Sequence, residues 1–212
     1  MYSYLFFDLD GTVTDPGEGI TNSVMFALGR FGIKVADRRQ LYPFIGPPLI
    51  ESFEKYFGFG KEDAGVAVDT YREYYTERGI FENRVYDGIP ELLKTQKERG
   101  KKIVLASLKP EAFAIRILKH YGLFGYFDAV SAARMDHSRE TKGEIIAKAM
   151  NELGVTDKSA ALMIGDRQND IIGAKENGID SVGVLYGYGS REELVGAGAM
   201  YTVGAPLELL KF

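Results

Sequence analysis

Asp8 and Asp10 are two carboxylates two positions apart in Tyr4-Leu5-Phe6-Phe7-Asp8-Leu9-Asp10-Gly11-Thr12, directly behind an apolar run. Carboxylates this close repel each other unless a cation or a shared proton relieves them. Four apolar or aromatic residues in a row suit a strand buried on both faces, and open parallel sheets bind ligands beyond the C-terminal ends of their strands. If the strand continues through Asp10, side-chain alternation puts both carboxylates on one side. Gly11 then permits a tight turn or a close approach to a ligand. The chemistry these residue types suit is metal-assisted phosphoryl transfer. Read alone, the same residues equally describe a strand ending in an Asx-type turn.

Three further stretches carry compatible groups. Ser107 follows the apolar run Ile103-Val104-Leu105-Ala106 and precedes Leu108-Lys109-Pro110. Its hydroxyl can donate to a phosphate oxygen beside the amides of a following helix N-terminus, or simply make a turn. Lys109 is equally compatible with a solvated surface lysine. Gly165-Asp166-Arg167-Gln168-Asn169-Asp170 places Asp166 at a strand end and Asp170 on the first turn of a helix. Metal binding and helix capping both suit these two acids. Lys142, in Thr141-Lys142-Gly143-Glu144, opens another helix, where a cation opposes the macrodipole unless an anion lies near it. Taken together, Asp8, Asp10, Ser107, Lys142 and Asp166 fall at separate strand–helix junctions. Acids for a hard divalent cation, with Ser and Lys for phosphate oxygens, form one coherent site, and Mg²⁺ suits it.

The elements that must position these groups alternate from Asp87 onward. Helices ending at Gly100, Gly122, Gly154 and Gly178 separate apolar runs at 103–106, 127–130, 160–164 and 181–185. Alternating βα units predict a doubly wound parallel sheet with helices on both faces, an α/β fold. Between 15 and 82 the spacing is helical, over about 20–31, 49–57 and 62–78, and nothing reads as a convincing strand. Twelve of the 26 aromatics fall in this stretch, with core packing their ordinary role. The expected organisation is therefore a catalytic core of 1–14 and 83–212 with a helical insertion, a cap, at 15–82. An insertion of this kind can cover a substrate.

Composition bounds the alternatives. At 212 residues a full core needs no staples. Zero cysteines exclude disulfides, thiolate metal sites and cysteine nucleophiles. A net charge of −4 and a pI near 5.4 argue against a protein devoted to nucleic-acid polymers. No basic leader precedes an apolar run, and no run approaches membrane length, so a cytoplasmic, non-membrane protein is expected. No Gly-x-x-x-x-Gly-Lys-Ser/Thr stretch occurs, which disfavours a P-loop nucleotidase.

Asp8-Leu9-Asp10-Gly11-Thr12, Ser107, Lys142 and Gly165-Asp166 with Asp170 resemble, in order and spacing, the four motifs of the haloacid dehalogenase superfamily. Phe44-Ile45-Gly46-Pro47-Pro48-Leu49, Tyr71-Arg72-Glu73-Tyr74-Tyr75 and Gly183-Val184-Leu185-Tyr186-Gly187-Tyr188-Gly189 resemble its phosphoglycolate-phosphatase-like branch, and most closely the members described as 5′-nucleotidases. The resemblance implies a Rossmann-like core with an α-helical cap. It implies Asp8 as nucleophile and Asp10 as general acid and base. Mg²⁺ would be held by Asp8, the Asp10 carbonyl and Asp166, with Asp170 behind them. Ser107, Leu108 and Lys142 would bind the substrate phosphate, and Gly46, Pro47 and Lys109 would contact the substrate or serve the cap. Leu108 departs from the Ser or Thr, and Thr141 from the His, that relatives often have at those places; both bear on substrate preference.

The leading expectation is an Mg²⁺-dependent phosphomonoesterase for a small cytoplasmic ester, such as a nucleoside 5′-monophosphate or 2-phosphoglycolate. The alternatives are a β-phosphoglucomutase-like phosphomutase, and a phospho-accepting signalling domain that does not turn over. Asp10, as an acid at its position, argues against dehalogenation. Monomer and homodimer both stay open.

Overall fold

The computed structural model describes residues 2–135 and 140–212. Two compact units make up the chain, one of Met1–Asp15 with Val85–Phe212 and one of Pro16–Arg84.

The first unit begins with β1 (Tyr4–Phe7), whose Leu5, Phe6 and Phe7 are wholly buried. Two-residue strands β2 (Thr14–Asp15) and β3 (Arg84–Val85) mark where the chain leaves this unit and returns. Between them lie α1 (Gly17–Arg30), α2 (Leu49–Phe57) and α3 (Lys61–Tyr74). Then α4 (Ile89–Glu98), β4 (Lys102–Pro110), α5 (Glu111–His120), β5 (Ala129–Ala133) and α6 (Lys142–Glu152) follow. The chain closes with β6 (Ala161–Gly165), α7 (Gln168–Asn177), β7 (Asp180–Val184), α8 (Arg191–Ala197) and β8 (Tyr201–Val203). The sheet runs β5-β4-β1-β6-β7-β8 with every neighbour pair parallel. β1, the first strand in the chain, is thus flanked by β4 and β6, and this reversal of order makes the C-terminal edge beside it a crevice. Helix α6 and residues of α7 close one face, burying Phe6, Val104, Ala106, Met163, Ile146 and Ala174 in one cluster. Phe6, Val104, Ile146 and Met163 each contribute roughly 1.5–3 kcal/mol on removal from water. The α/β doubly wound architecture is the one the βα alternation predicts.

Three local expectations change. β1 stops at Phe7 rather than running through Asp10, because the chain folds into a turn in which the amides of Thr12, Val13 and Thr14 all donate to Leu9 O. The β4 strand does not end at Ala106 but continues to Pro110, with a break in register between Ser107 and Pro110. The short strand expected at 127–130 lies at Ala129–Ala133, since 124–126 form a 3₁₀ turn.

In the second unit, α1, α2 and α3 surround Val24, Leu28, Phe44, Phe53, Val68 and Tyr71, all buried. Phe44 meets Phe53 edge-on at 5.0 Å, and Tyr71 stacks on Tyr75 at 5.2 Å. The helix expected over 62–78 is α-helical only to Tyr74 and closes in a π turn at Tyr75–Gly79. Helix α1 crosses there at Gly19, where a Cβ would run into Gly79 O.

Candidate active site

Asp8 follows β1 directly, its amide still donating to Ile164 O of β6 at 2.9 Å. Lys142 opens α6 behind Thr141, whose hydroxyl accepts from Glu144 N while Glu144 reaches back to Thr141 N. This reciprocal cap fixes the start of the helix. From there the Lys142 ammonium donates to Asp8 Oδ1 at 2.7 Å and to Ala106 O at 2.9 Å, and pairs with Asp170 Oδ1 at 2.7 Å. The anion that its place on the helix demanded is therefore Asp8 together with Asp170. Burial would depress such an ammonium, but the Asp170 and Asp8 carboxylates outweigh it and hold Lys142 above the ordinary lysine value.

Asp166 follows β6 and Asp170 stands one turn into α7, its Oδ2 accepting from Arg167 N at 3.0 Å. Asp166 is not the helix cap; Arg167 holds that position. Oxygens of Asp8, Asp166 and Asp170 lie within 4.8 Å of one another, and all three residues are buried. Burial pushes Asp166 well above the usual carboxylate range, reinforced by Asp170 and Asp8. Burial likewise raises Asp170, to about 6, with Lys142 opposing the rise. Three carboxylates against one ammonium leave two uncompensated negative charges when all are ionised, and Asp166 Oδ1 is buried with no hydrogen-bond partner. A hard divalent cation with oxygen ligands fits that orphaned oxygen and that charge.

Asp10 lies within the turn that follows β1. Its Oδ2 pairs with Lys109 Nζ at 2.5 Å, both side chains buried. Burial raises Asp10 and Lys109 pulls it back, the net shift being upward. The strand expected to run through Asp10 gives way to this turn, and Asp10 still lies near enough to Asp8 for that carboxylate to raise it. Ser107 is buried, and Lys109 N donates to its Oγ at 3.3 Å across the register break of β4. Leu108 packs its side chain against the apolar cluster under α6. Gly46 and Pro47 lie in the helical unit between the 3₁₀ turn Arg38–Phe44 and α2, Gly46 at φ 101°.

Glycines set the close approaches. At Gly11, φ is 87° and a Cβ would enter the Asp166 carboxylate. Sequence reasoning passed over the loop after β7 as a source of site contacts: Tyr188 N donates to Asp166 Oδ2 at 2.7 Å, and Tyr186 Oη to Thr12 O at 3.0 Å. The signal was present in Tyr186-Gly187-Tyr188-Gly189, where glycines alternate with large donors just past a parallel strand.

Residues 5–184, which carry the buried acids after β1 and β6, Lys142 and the Ser107 hydroxyl within β4, match the family model described as haloacid dehalogenase-like hydrolase. The chain belongs to that family. It is 45% identical over 193 residues to a protein of Pseudomonas aeruginosa named 5′-nucleotidase, covering 91% of this chain and 87% of that one. It is 38% identical over 183 residues to the tyrosine-protein kinase PtkA of Mycobacterium tuberculosis, covering 86% of this chain and 62% of that longer protein. A crystal structure of a predicted phosphatase from Clostridium acetobutylicum superposes with a TM-score of 0.96 at 48% identity, covering all of this chain and 97% of the other. In this haloacid dehalogenase-like chain, the carboxylate cluster sits at the sheet edge where β1 lies between β4 and β6.

Proposed function

We propose that the chain is an Mg²⁺-dependent phosphomonoester hydrolase working through an aspartyl phosphate on Asp8. The observation that carries this is the buried meeting of Asp8, Lys142, Asp166 and Asp170, with Asp10 paired to Lys109. Asp8, Asp166, Asp170 and the Asp10 carbonyl would hold the Mg²⁺. When bound, the ion neutralises charge on the transferring phosphoryl group and on the nucleophile.

A carboxylate oxygen of Asp8 attacks phosphorus, the ester P–O bond breaks, and Asp10 gives its proton to the departing alkoxide. Water then loses a proton to Asp10 and attacks the same phosphorus. The acyl phosphate opens to inorganic phosphate and the Asp8 carboxylate. Lys142 and Ser107 orient the phosphoryl oxygens, and Leu108 offers its amide. Lys142 also donates to Asp8 Oδ1 at 2.7 Å, which places its charge beside the nucleophile. Electrostatic placement of this kind supplies the larger share of catalysis in phosphoryl transfer.

The substrate we assign is a small ester, a nucleoside 5′-monophosphate or 2-phosphoglycolate, with Gly46 and Pro47 of the helical unit and Lys109 serving its recognition. The 45% identity to a protein named 5′-nucleotidase supports the nucleotide. A cytoplasmic location accords with the cysteine-free composition. A phosphate-release screen over nucleotides, 2-phosphoglycolate and sugar phosphates, run beside the variants, tests the reading. Asp8→Asn should abolish turnover, and Asp10→Asn should slow it while acid-stable label accumulates on Asp8. Near wild-type release from Asp8→Asn would sink the nucleophile assignment. Interconversion of sugar monophosphates without free phosphate would make the chain a mutase instead.

A further inference from the structure

The loop after β7 touches the site at more points than a connection needs. Tyr186 donates its phenol to Thr12 O at 3.0 Å, and Tyr188 donates its amide to Asp166 Oδ2 at 2.7 Å. A Cβ on Gly187 would enter both Asp166 and Gly11 O, and one on Gly189 would enter Asp166 O. The Tyr188 phenol, finally, donates to Asp15 Oδ1. Asp15 is the last residue before the chain enters the helical unit. One residue, Tyr188, therefore holds a carboxylate of the cation cluster by its backbone and the departing chain by its side chain.

We infer that Tyr186–Gly189 is a positioning clamp that links cation binding at Asp166 to the stiffness of the segment 11–15, with Tyr188 as the connecting residue. The inference rests on the Mg²⁺ reading above. A cation drawing on Asp166 fixes the carboxylate from one side while the Tyr188 amide fixes it from the other. The backbone at Tyr188 is then held, and its phenol holds Asp15. Tyr188 is a positioning residue under this assignment; it is placed on neither the phosphate nor the reacting atoms.

Hydrogen exchange on the full chain, with and without Mg²⁺, tests the link, alongside calorimetric titration with Mg²⁺. In the wild type, Mg²⁺ should slow exchange in both 186–189 and 11–15. Tyr188→Phe keeps the amide on Asp166 and removes the phenol, so Mg²⁺ should still bind within about twofold and still protect 186–189. Segment 11–15 should then exchange about tenfold faster than in the Mg²⁺-bound wild type, the worth of one hydrogen bond to a carboxylate. Asp15→Ala, cutting the same bond from its other end, should reproduce that loss. Equal protection of 11–15 in wild type and both variants would overturn the inference and leave the Mg²⁺ reading standing. Wild-type protein that gives no saturable Mg²⁺ binding would overturn the Mg²⁺ reading and this inference with it.

Discussion

Asp170 and Asp166 sit in a place that punishes their ionisation, and a divalent cation is what would reward it. With Asp170 lifted to about 6, the metal-free fold favours the protonated acid over the unfolded chain. That contribution is fully present below the ordinary carboxylate range and is lost as pH rises through about 6. Mg²⁺ needs the ionised acids, so its stabilising effect should grow over the same window. Thermal melts should show a small Mg²⁺-induced rise near about pH 5 and a larger one near about pH 7.5. A rise that shrinks with pH would count against the cluster as a cation site. Asp10 answers to a different neighbour. Burial raises it and Lys109 restrains it, so Lys109→Met should push the acid further up. The limb of the rate–pH profile that requires Asp10 as a base should move to higher pH, and turnover at neutral pH should fall. An unmoved limb would show that Lys109 does not tune the acid. The motif acids themselves were legible in the sequence; the Lys109 pairing was not, because a lysine two residues past a serine has no period or cap to betray where its ammonium ends.

Helices α6 and α7 deliver Lys142 and Asp170 to each other, and glycine lets them. A Cβ at Gly173 of α7 would meet Gly143 N and Lys142 Cγ, each at 2.9 Å, so nothing larger fits that crossing. Asn177 stitches the same crossing, donating to Gly143 O and Gly173 O at 2.9 and 2.8 Å. Gly173→Ala should cost about 1–3 kcal/mol through overpacking. For a chain of this size that is about 2–4 °C in melting temperature per kcal/mol. It should also weaken Mg²⁺ binding measured by titration, since Asp170 must retreat from Lys142. A variant that melts lower but binds Mg²⁺ unchanged would show that the crossing serves stability alone. Helix existence and order were readable from the apolar spacing and the closing glycines. Strand ends were less so: β4 outruns its apolar stretch because its pairing with β5 continues, and β1 falls short because Leu9 O gathers three amides into a turn.

Two units, each with its own buried core, share this chain, and we assign the chemistry to Met1–Asp15 with Val85–Phe212 and substrate choice to Pro16–Arg84. Replacing 16–84 by a short Gly/Ser connection should leave an α/β unit that still shows an Mg²⁺-dependent melt. Its hydrolysis should discriminate far less among phosphate esters than the full chain does, by initial rates across the same screen. Retained discrimination would place specificity in the α/β unit. No described helix is long and apolar enough to cross a membrane. By itself the sequence determined the α/β alternation, the helical stretch inside it and the set of acids, serine and lysine at strand–helix junctions, because periodicity and punctuation are local properties written residue by residue. Only the tertiary structure decided which acid meets which lysine, that β1 ends in a turn at Asp10, and that the Tyr186–Gly189 loop grips Asp166. Those contacts join residues up to 134 positions apart, and they depend on glycine clearances and turn geometry that no local pattern encodes.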